Sequence, residues 1–257
     1  MHNITNYVTV NDVANMLLAC GGSPIMAHEV DEVEDIQTIC GGLCVNIGTL
    51  GMTDAMVLAG KKANALGHPV VLDPVAAGAS KARKSTVERL MSEVRFAAIR
   101  GNISEIKCLA IGTETTRGVD AAEADAVNGD NLDEVILLAK KLAAANDTVI
   151  AITGATDIVA DKDRAYVIKN GHPMMSSITG SGCMLSALTA AYIIANPDHP
   201  LDAAAAAVIC EGVAGEKAYE LTSKEGSGNA SFRTHLIDAV CLMTGDELEK
   251  GAKYEIR

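Results

Sequence analysis

Pro69-Val70-Val71-Leu72-Asp73-Pro74 is a short apolar run that stops on a carboxylate and a proline. It does not alternate apolar with polar residues, so it reads as a strand buried on both faces, as in a parallel sheet covered by helices. Leu43 to Ile47, Phe96 to Ile99 and Thr148 to Ile152 repeat the pattern, each ending in polar or glycine residues. Longer segments of helical character lie around and between these runs and predict helices over Asp12 to Cys20, Thr53 to Leu66, Thr86 to Val94, Leu132 to Ala145, Cys183 to Ala195, Leu201 to Leu221 and Phe232 to Met243. Strands alternating with crossover helices define an α/β class with a mostly parallel sheet. Asp157 to Ala160 and Ala165 to Ile168 read as a hairpin added at a sheet edge.

The composition places this pattern in one domain spanning 1–257. Of the 257 residues, 49% are hydrophobic and 21% charged, enough to bury a substantial core of small aliphatic side chains. There is no Trp, only two Phe and five Tyr, and the formal charge is -12 without Lys/Arg clusters. Nucleic acid is therefore a poor partner, lacking both phosphate-neutralising patches and stacking platforms. A nucleotide is not excluded, since backbone amides, a helix N-terminus and Mg²⁺ supply positive potential locally. The seven cysteines are odd in number and form no C-x-x-C pair, which suits a reducing compartment and argues against a disulfide framework or zinc site. No leader pattern opens the chain, and no continuously apolar segment reaches the roughly 18 residues of a membrane span, so a cytoplasmic protein with no membrane partner is expected. From Glu114 to Glu134 seven acidic residues face one basic residue, the composition of a surface insertion.

In open parallel sheets ligands gather at the carboxyl ends of the strands. The residues there are Asn46-Ile47-Gly48-Thr49, Asp73-Pro74, Arg100-Gly101-Asn102 and Thr153-Gly154. The sharpest signal is Ile178-Thr179-Gly180-Ser181-Gly182-Cys183-Met184-Leu185, a glycine turn opening into an Ala/Leu-rich helix. The amides of Gly180, Ser181 and Gly182 would make an anion hole for a phosphoryl group, although an ordinary loop-to-helix junction uses the same residues. It is neither a Walker A loop nor a dinucleotide fingerprint. Cys183 sits where a helix dipole favours a thiolate, or is simply a small buried residue. Asn102-Ile103-Ser104-Glu105 reads either as a capping box or as a rim placing Glu105 on a hydrated Mg²⁺. Asp73 reads as a turn residue or as a second carboxylate for that metal. The six histidines show no ligand spacing and are assigned no chemistry.

Ile4-Thr5-Asn6, Gly22-Ser23-Pro24-Ile25-Met26-Ala27, Asn46-Ile47-Gly48-Thr49-Leu50, Leu72-Asp73-Pro74-Val75, Arg100-Gly101-Asn102 and Thr179-Gly180-Ser181-Gly182-Cys183 occur in that order. With these blocks the chain resembles the hydroxyethylthiazole kinases over nearly its whole length. The resemblance implies a ribokinase-like three-layer α/β/α fold, ATP and Mg²⁺, and phosphorylation of the primary alcohol of 4-methyl-5-(2-hydroxyethyl)thiazole in thiamine biosynthesis. It further implies a homotrimer. Arg100 and Thr153 would contact ATP, Glu105 and Asp73 the metal, and Met26 and Gly180 the thiazole. Asn6 would wall the substrate pocket near a subunit boundary, and Cys183 would stand where related sugar kinases carry an aspartate base. Two departures are visible: the chain opens almost on Ile4-Thr5-Asn6, where relatives carry a lead-in segment, and Ala76 replaces a common glycine. The rivals are a hydroxymethylpyrimidine kinase, an ADP-dependent dehydratase of hydrated nicotinamide cofactors, and a non-catalytic sensor of thiazole or nucleotide.

Overall fold

The computed structural model describes residues 1–111, 127 and 131–257. Most of the acidic stretch from Glu114 to Glu134 lies outside these residues. Eight strands form one sheet in sequence order: β1 (His2–Ile4), β2 (Leu43–Asn46), β3 (Val70–Asp73), β4 (Ala98–Asn102), β5 (Val149–Thr153), β6 (Asp157–Ala160), β7 (Ala165–Ile168) and β8 (Tyr254–Ile256). Strands β1 to β5 are parallel, and β6, β7 and β8 continue the sheet antiparallel.

The lack of alternation in Val70-Val71-Leu72 has its cause here. Val70 and Leu72 face one apolar cluster with α2 (Val33–Ile39), α3 (Thr53–Leu66), α4 (Lys81–Glu93), α5 (Ile103–Ile111) and α6 (Leu132–Asn146). Val71 faces the other, formed with α1 (Val10–Ala19), α7 (Ser181–Ala195) and α8 (Pro200–Glu225). A third cluster joins α7 and α8 to α9 (Asn229–Cys241), which lies outside them, and α10 (Gly245–Gly251) closes the helical series. Both sheet faces are thus dry, which a parallel sheet requires. Among the described residues, which include all seven cysteines, no disulfide is formed.

Local chemistry explains the boundaries. Helix α4 begins five residues before the expected Thr86 because the Ser80 hydroxyl caps it, accepting the Arg83 N–H at 3.2 Å; the polar first turn hid this start. Helix α8 starts on Pro200 and runs to Gly226, whose φ of 63° ends it in a left-handed turn. The segment Gly226-Ser227-Gly228 is accordingly a tight corner between α8 and α9. The hairpin β6–β7 is where the sequence placed it, but it is not the edge: β8 pairs with β7 through Tyr166↔Ile256 and Ile168↔Tyr254. Strand β1 and helices α2, α5 and α10 also escaped the apolar patterning, being short or polar.

Candidate active site

The rim expected from the strand ends is real. Parallel register sets Asn46 beside Asp73 and Asn102 beside Thr153, so β2 to β5 end at a common level. Helix α7 then approaches from the other side and points its N-terminus at that rim. Gly180 is its N-cap, with φ 86° and no side-chain cap. A Cβ on Gly180 would lie 2.6 Å from Thr9 Cγ2, so both the backbone and the space require glycine. The first turn of α7 therefore presents uncapped amides, and Gly182 lets the Arg100 guanidinium lie against it: a Cβ there would be 2.5 Å from Arg100 Nη1. Backbone dipole and guanidinium converge on one spot, which is the composition of an anion site.

Arg100 is held by Thr153 Oγ1, which accepts from Nη2 at 2.5 Å, and faces Asp73 Oδ2 from 3.9 Å. Burial works against its charge, but Asp73 and Glu105 outweigh it and keep the guanidinium protonated. Asp73 is 1% exposed. Its Oδ2 accepts from Asn46 Nδ2 and from Ser186 Oγ, both at 2.8 Å, whereas Oδ1 has no partner. Burial raises its pKa to about 7 against the pull of Arg100. A buried carboxylate oxygen left unpaired is costly in isolation.

Cys183 faces the opposite side of the α7 terminus. Its Sγ accepts from Asn46 Nδ2 at 3.2 Å and Asn6 Nδ2 at 3.3 Å. Asn6 also donates to Asn46 Oδ1 at 3.1 Å and, through Oδ1, accepts the N–H groups of Val8 and Thr9. The expected thiolate is corrected here: burial, and then Asp73, push the thiol pKa upward. The sulfur is a neutral thiol near pH 7, spending its lone pairs on two amides and keeping its proton to donate. Met26 follows Ile25, which pairs with His2 at the start of β1, and packs at the border of the same apolar cluster as Cys183.

The Asn102–Glu105 alternatives coexist in one geometry. The capping box is formed, with Asn102 Oδ1 accepting the Glu105 N–H at 2.9 Å and Glu105 Oε2 accepting the Asn102 N–H at 2.8 Å. Glu105 Oε1 accepts the Ala76 N–H at 2.8 Å, and Ala76 adopts φ 56°, the left-handed conformation in which glycine would be at ease. Among the described residues no cluster of three or more His, Cys, Asp or Glu could cage a metal. Mg²⁺ keeps several waters and needs only one or two carboxylates plus phosphate. The unpaired Asp73 Oδ1, with the Glu105 charge nearby, fits that requirement.

On the Arg100 side lies a cleft of about 470 Å³, walled by Thr153, Ser181, Gly182 and Leu185 and by Asn170 to Pro173, with Glu211 and Gly212 of α8 at its back. The sequence reading missed Asn170, His172, Ser186 and Glu211. His172 stacks on Tyr219 with ring centroids 3.5 Å apart. Ser186 was findable, three residues after Cys183 on one helical face. Glu211 was findable as the single acid in an otherwise apolar, Ala-rich stretch of α8.

A three-layer α/β/α sheet protein with an amide-and-guanidinium anion site at a strand-end rim, flanked by a cleft on one side and a half-buried thiol on the other, is a small-molecule kinase of the ribokinase-like class. A solved ribokinase-like superfamily protein from Enterococcus faecalis shares the fold at TM-score 0.59 and 9% identity, covering 93% of this chain and 85% of that one. Residues 1–246 match the hydroxyethylthiazole kinase family. The hydroxyethylthiazole kinase of Clostridium acetobutylicum is 57% identical over 257 residues, covering 99% of this chain and 94% of its own. The solved structure of a hydroxyethylthiazole kinase protein from Pyrococcus horikoshii aligns at TM-score 0.87 and 35% identity, covering 100% of this chain and 92% of that one. The chain belongs to the hydroxyethylthiazole kinase family.

Proposed function

We propose that this protein transfers the γ-phosphate of ATP to the primary alcohol of 4-methyl-5-(2-hydroxyethyl)thiazole, the step that yields the thiazole phosphate for thiamine. The observation that carries the reading is the α7 N-terminus, which sets the Arg100 guanidinium on one side and the Cys183 thiol on the other of a single uncapped helix end. Nucleotide phosphate would enter from the 470 Å³ cleft, and the alcohol from the side of Asn6, Met26 and Gly180. The whole chain would act as one catalytic unit.

Phosphoryl transfer passes through a loose transition state and needs positioning and charge stabilisation more than a strong base. The amides of Gly180, Ser181 and Gly182, with Arg100, would take the charge on the transferring oxygens. Thr153 fixes Arg100 and would stand at the nucleotide phosphates. Cys183, as a neutral thiol pinned by Asn6 and Asn46, would orient the alcohol by donating its S–H to the alcohol oxygen, while the alcohol's own proton passes to an oxygen of the transferred phosphoryl group as bond formation completes. Asp73 and Glu105 would hold Mg²⁺, and the ion when bound neutralises phosphate charge. Ser186 and Asn46 keep the Asp73 carboxylate aimed. Tyr7 and Val8, 64% and 75% exposed next to Asn6, would offer apolar surface to a neighbouring subunit at the edge of the substrate pocket; the trimer and the cytoplasmic setting rest on the family resemblance. The deciding experiment is a coupled ADP-release assay with the thiazole alcohol, ATP and Mg²⁺. Thiazole-dependent ADP formation is expected, and a folded protein releasing none would refute the reading.

A further inference from the structure

Helix α8 turns Val208, Glu211, Gly212 and Gly215 to one side, the i, i+3, i+4, i+7 spacing of a helical stripe. The stripe is pressed against the segment from Asn170 to Met175. A Cβ on Gly212 would lie 2.6 Å from Asn170 Cβ, and one on Gly215 2.6 Å from Met175 Sδ. With the helix seated this closely, Glu211 reaches the back of the cleft beside Val208 and Leu185. It is 1% exposed, yet its Oε1 has no hydrogen-bond partner among the described residues. Asn170, the nearest polar neighbour along the stripe, is committed elsewhere: Nδ2 donates to Glu216 and Gly251, and Oδ1 accepts from Lys253. The charges felt at Glu211 are Arg100 of β4 and Asp157 of β6, and Lys169 and His172 line the same cleft from the β7 side. A buried acid with an open oxygen, facing the guanidinium of a phosphate site, lacks a ligand rather than a protein partner.

We infer that Glu211 binds the nucleotide in its protonated form, its O–H donating a hydrogen bond to an oxygen of the phosphate chain beside Arg100. The inference rests on the kinase reading. An ionised Glu211 would repel the phosphates, whereas a carboxylic acid kept neutral by its apolar setting is a strong donor. Burial supports this by raising the Glu211 pKa to about 8, with Arg100 only partly offsetting it. Above that pH the complex must draw one proton from solvent as it forms.

Calorimetric titration of the full-length protein with ADP, from pH 8 to pH 9.5 in two buffers of different ionisation enthalpy, tests this. Asp73 and Asp157, whose raised pKa values are about 7, have finished titrating in that window. Wild-type affinity is expected to fall up to about tenfold per pH unit, with close to one proton taken up. Glu211→Gln keeps a donor of the same shape, so it should bind about threefold more weakly at pH 7.5 and lose under about twofold per pH unit above 8. An unchanged pH dependence in Glu211→Gln, or a flat wild-type profile, overturns the inference while leaving the kinase reading standing. No ADP binding by the folded wild type at any pH would instead overturn both.

Discussion

Gly182→Ala separates the function of the α7 terminus from its stability. Inside a helix Ala is favoured over Gly by roughly 0.5–1 kcal/mol, so the change helps the fold locally. Its Cβ, however, would stand 2.5 Å from Arg100 Nη1, 2.9 Å from Nη2 and 3.1 Å from Cζ. Non-bonded carbon contacts settle near 3.5–4.0 Å, so the guanidinium must retreat by about 1 Å. The obstacle is the mobile end of a long side chain, and net stability should stay within about 1 kcal/mol of wild type. The retreat breaks the placement held by Thr153 at 2.5 Å and removes charge-assisted bonds to phosphate, each worth about 1.5–3 kcal/mol. One or two such bonds correspond to a loss of about 10²–10³ in kcat/KM, the size of effect a 1 Å misplacement produces. The assay is kcat/KM for ATP beside urea unfolding, repeated on an Arg100→Ala background in a double-mutant cycle. The added Cβ should cost almost nothing where the arginine is gone. Activity within about threefold of wild type, or an equal loss on both backgrounds, would refute the assigned contact between Gly182 and Arg100.

Cys183→Ala should lower kcat by about 10–10³-fold without abolishing it, and Cys183→Ser should recover part of the loss. Because the thiol pKa is raised, the wild-type kcat should show no rise with thiolate formation between pH 6 and 8; a rise that Cys183→Ala removes would restore the thiolate base. Glu211→Gln should raise the melting temperature of the ligand-free protein. The folded-state pKa of about 8 lies above the ordinary glutamate value of 4.5, so the folded form holds its proton longer and the wild type loses stability as pH rises from about 4.5 to 8. The gap between the two proteins should widen over that window to at most about 5 kcal/mol and stay constant above it; equal melting curves at pH 6 and pH 9 would contradict the buried placement. Ala76→Gly relieves a left-handed φ of 56° worth roughly 1–2 kcal/mol against a glycine entropy cost of about 0.5–1, so unfolding should show a gain of up to about 1 kcal/mol. Destabilisation would mean that the Ala76 methyl group, in a residue only 4% exposed, outweighs the strain.

The α/β class, the strand cores and the polar rim at the strand ends were determined by the sequence, because they follow from local periodicity and from the polar residues that end each apolar run. Asp73, Arg100, Thr153 and the Gly180–Cys183 turn were all visible in this way, and β6 and β7 fall on the expected residues. The order and the blocks of the chain also placed it in its family. What lacked a local pattern was lost: β1 is polar and three residues long, and β8 is three residues long and exposed, so pairing alone makes them strands. Only the tertiary structure decided the surroundings of the candidate site's titratable groups. The dipole at the start of α7 argued for a thiolate at Cys183, but burial and a carboxylate arriving from β3, 110 positions earlier, hold the proton on sulfur. Glu211 is the same lesson with the opposite outcome. In sequence it is one acid in an Ala-rich helix, and it becomes a candidate nucleotide ligand because close packing at Gly212 and Gly215 delivers it, unpaired, to the cleft that Arg100 faces. Periodicity is a property of neighbours along the chain, whereas desolvation and charge are set by neighbours in space.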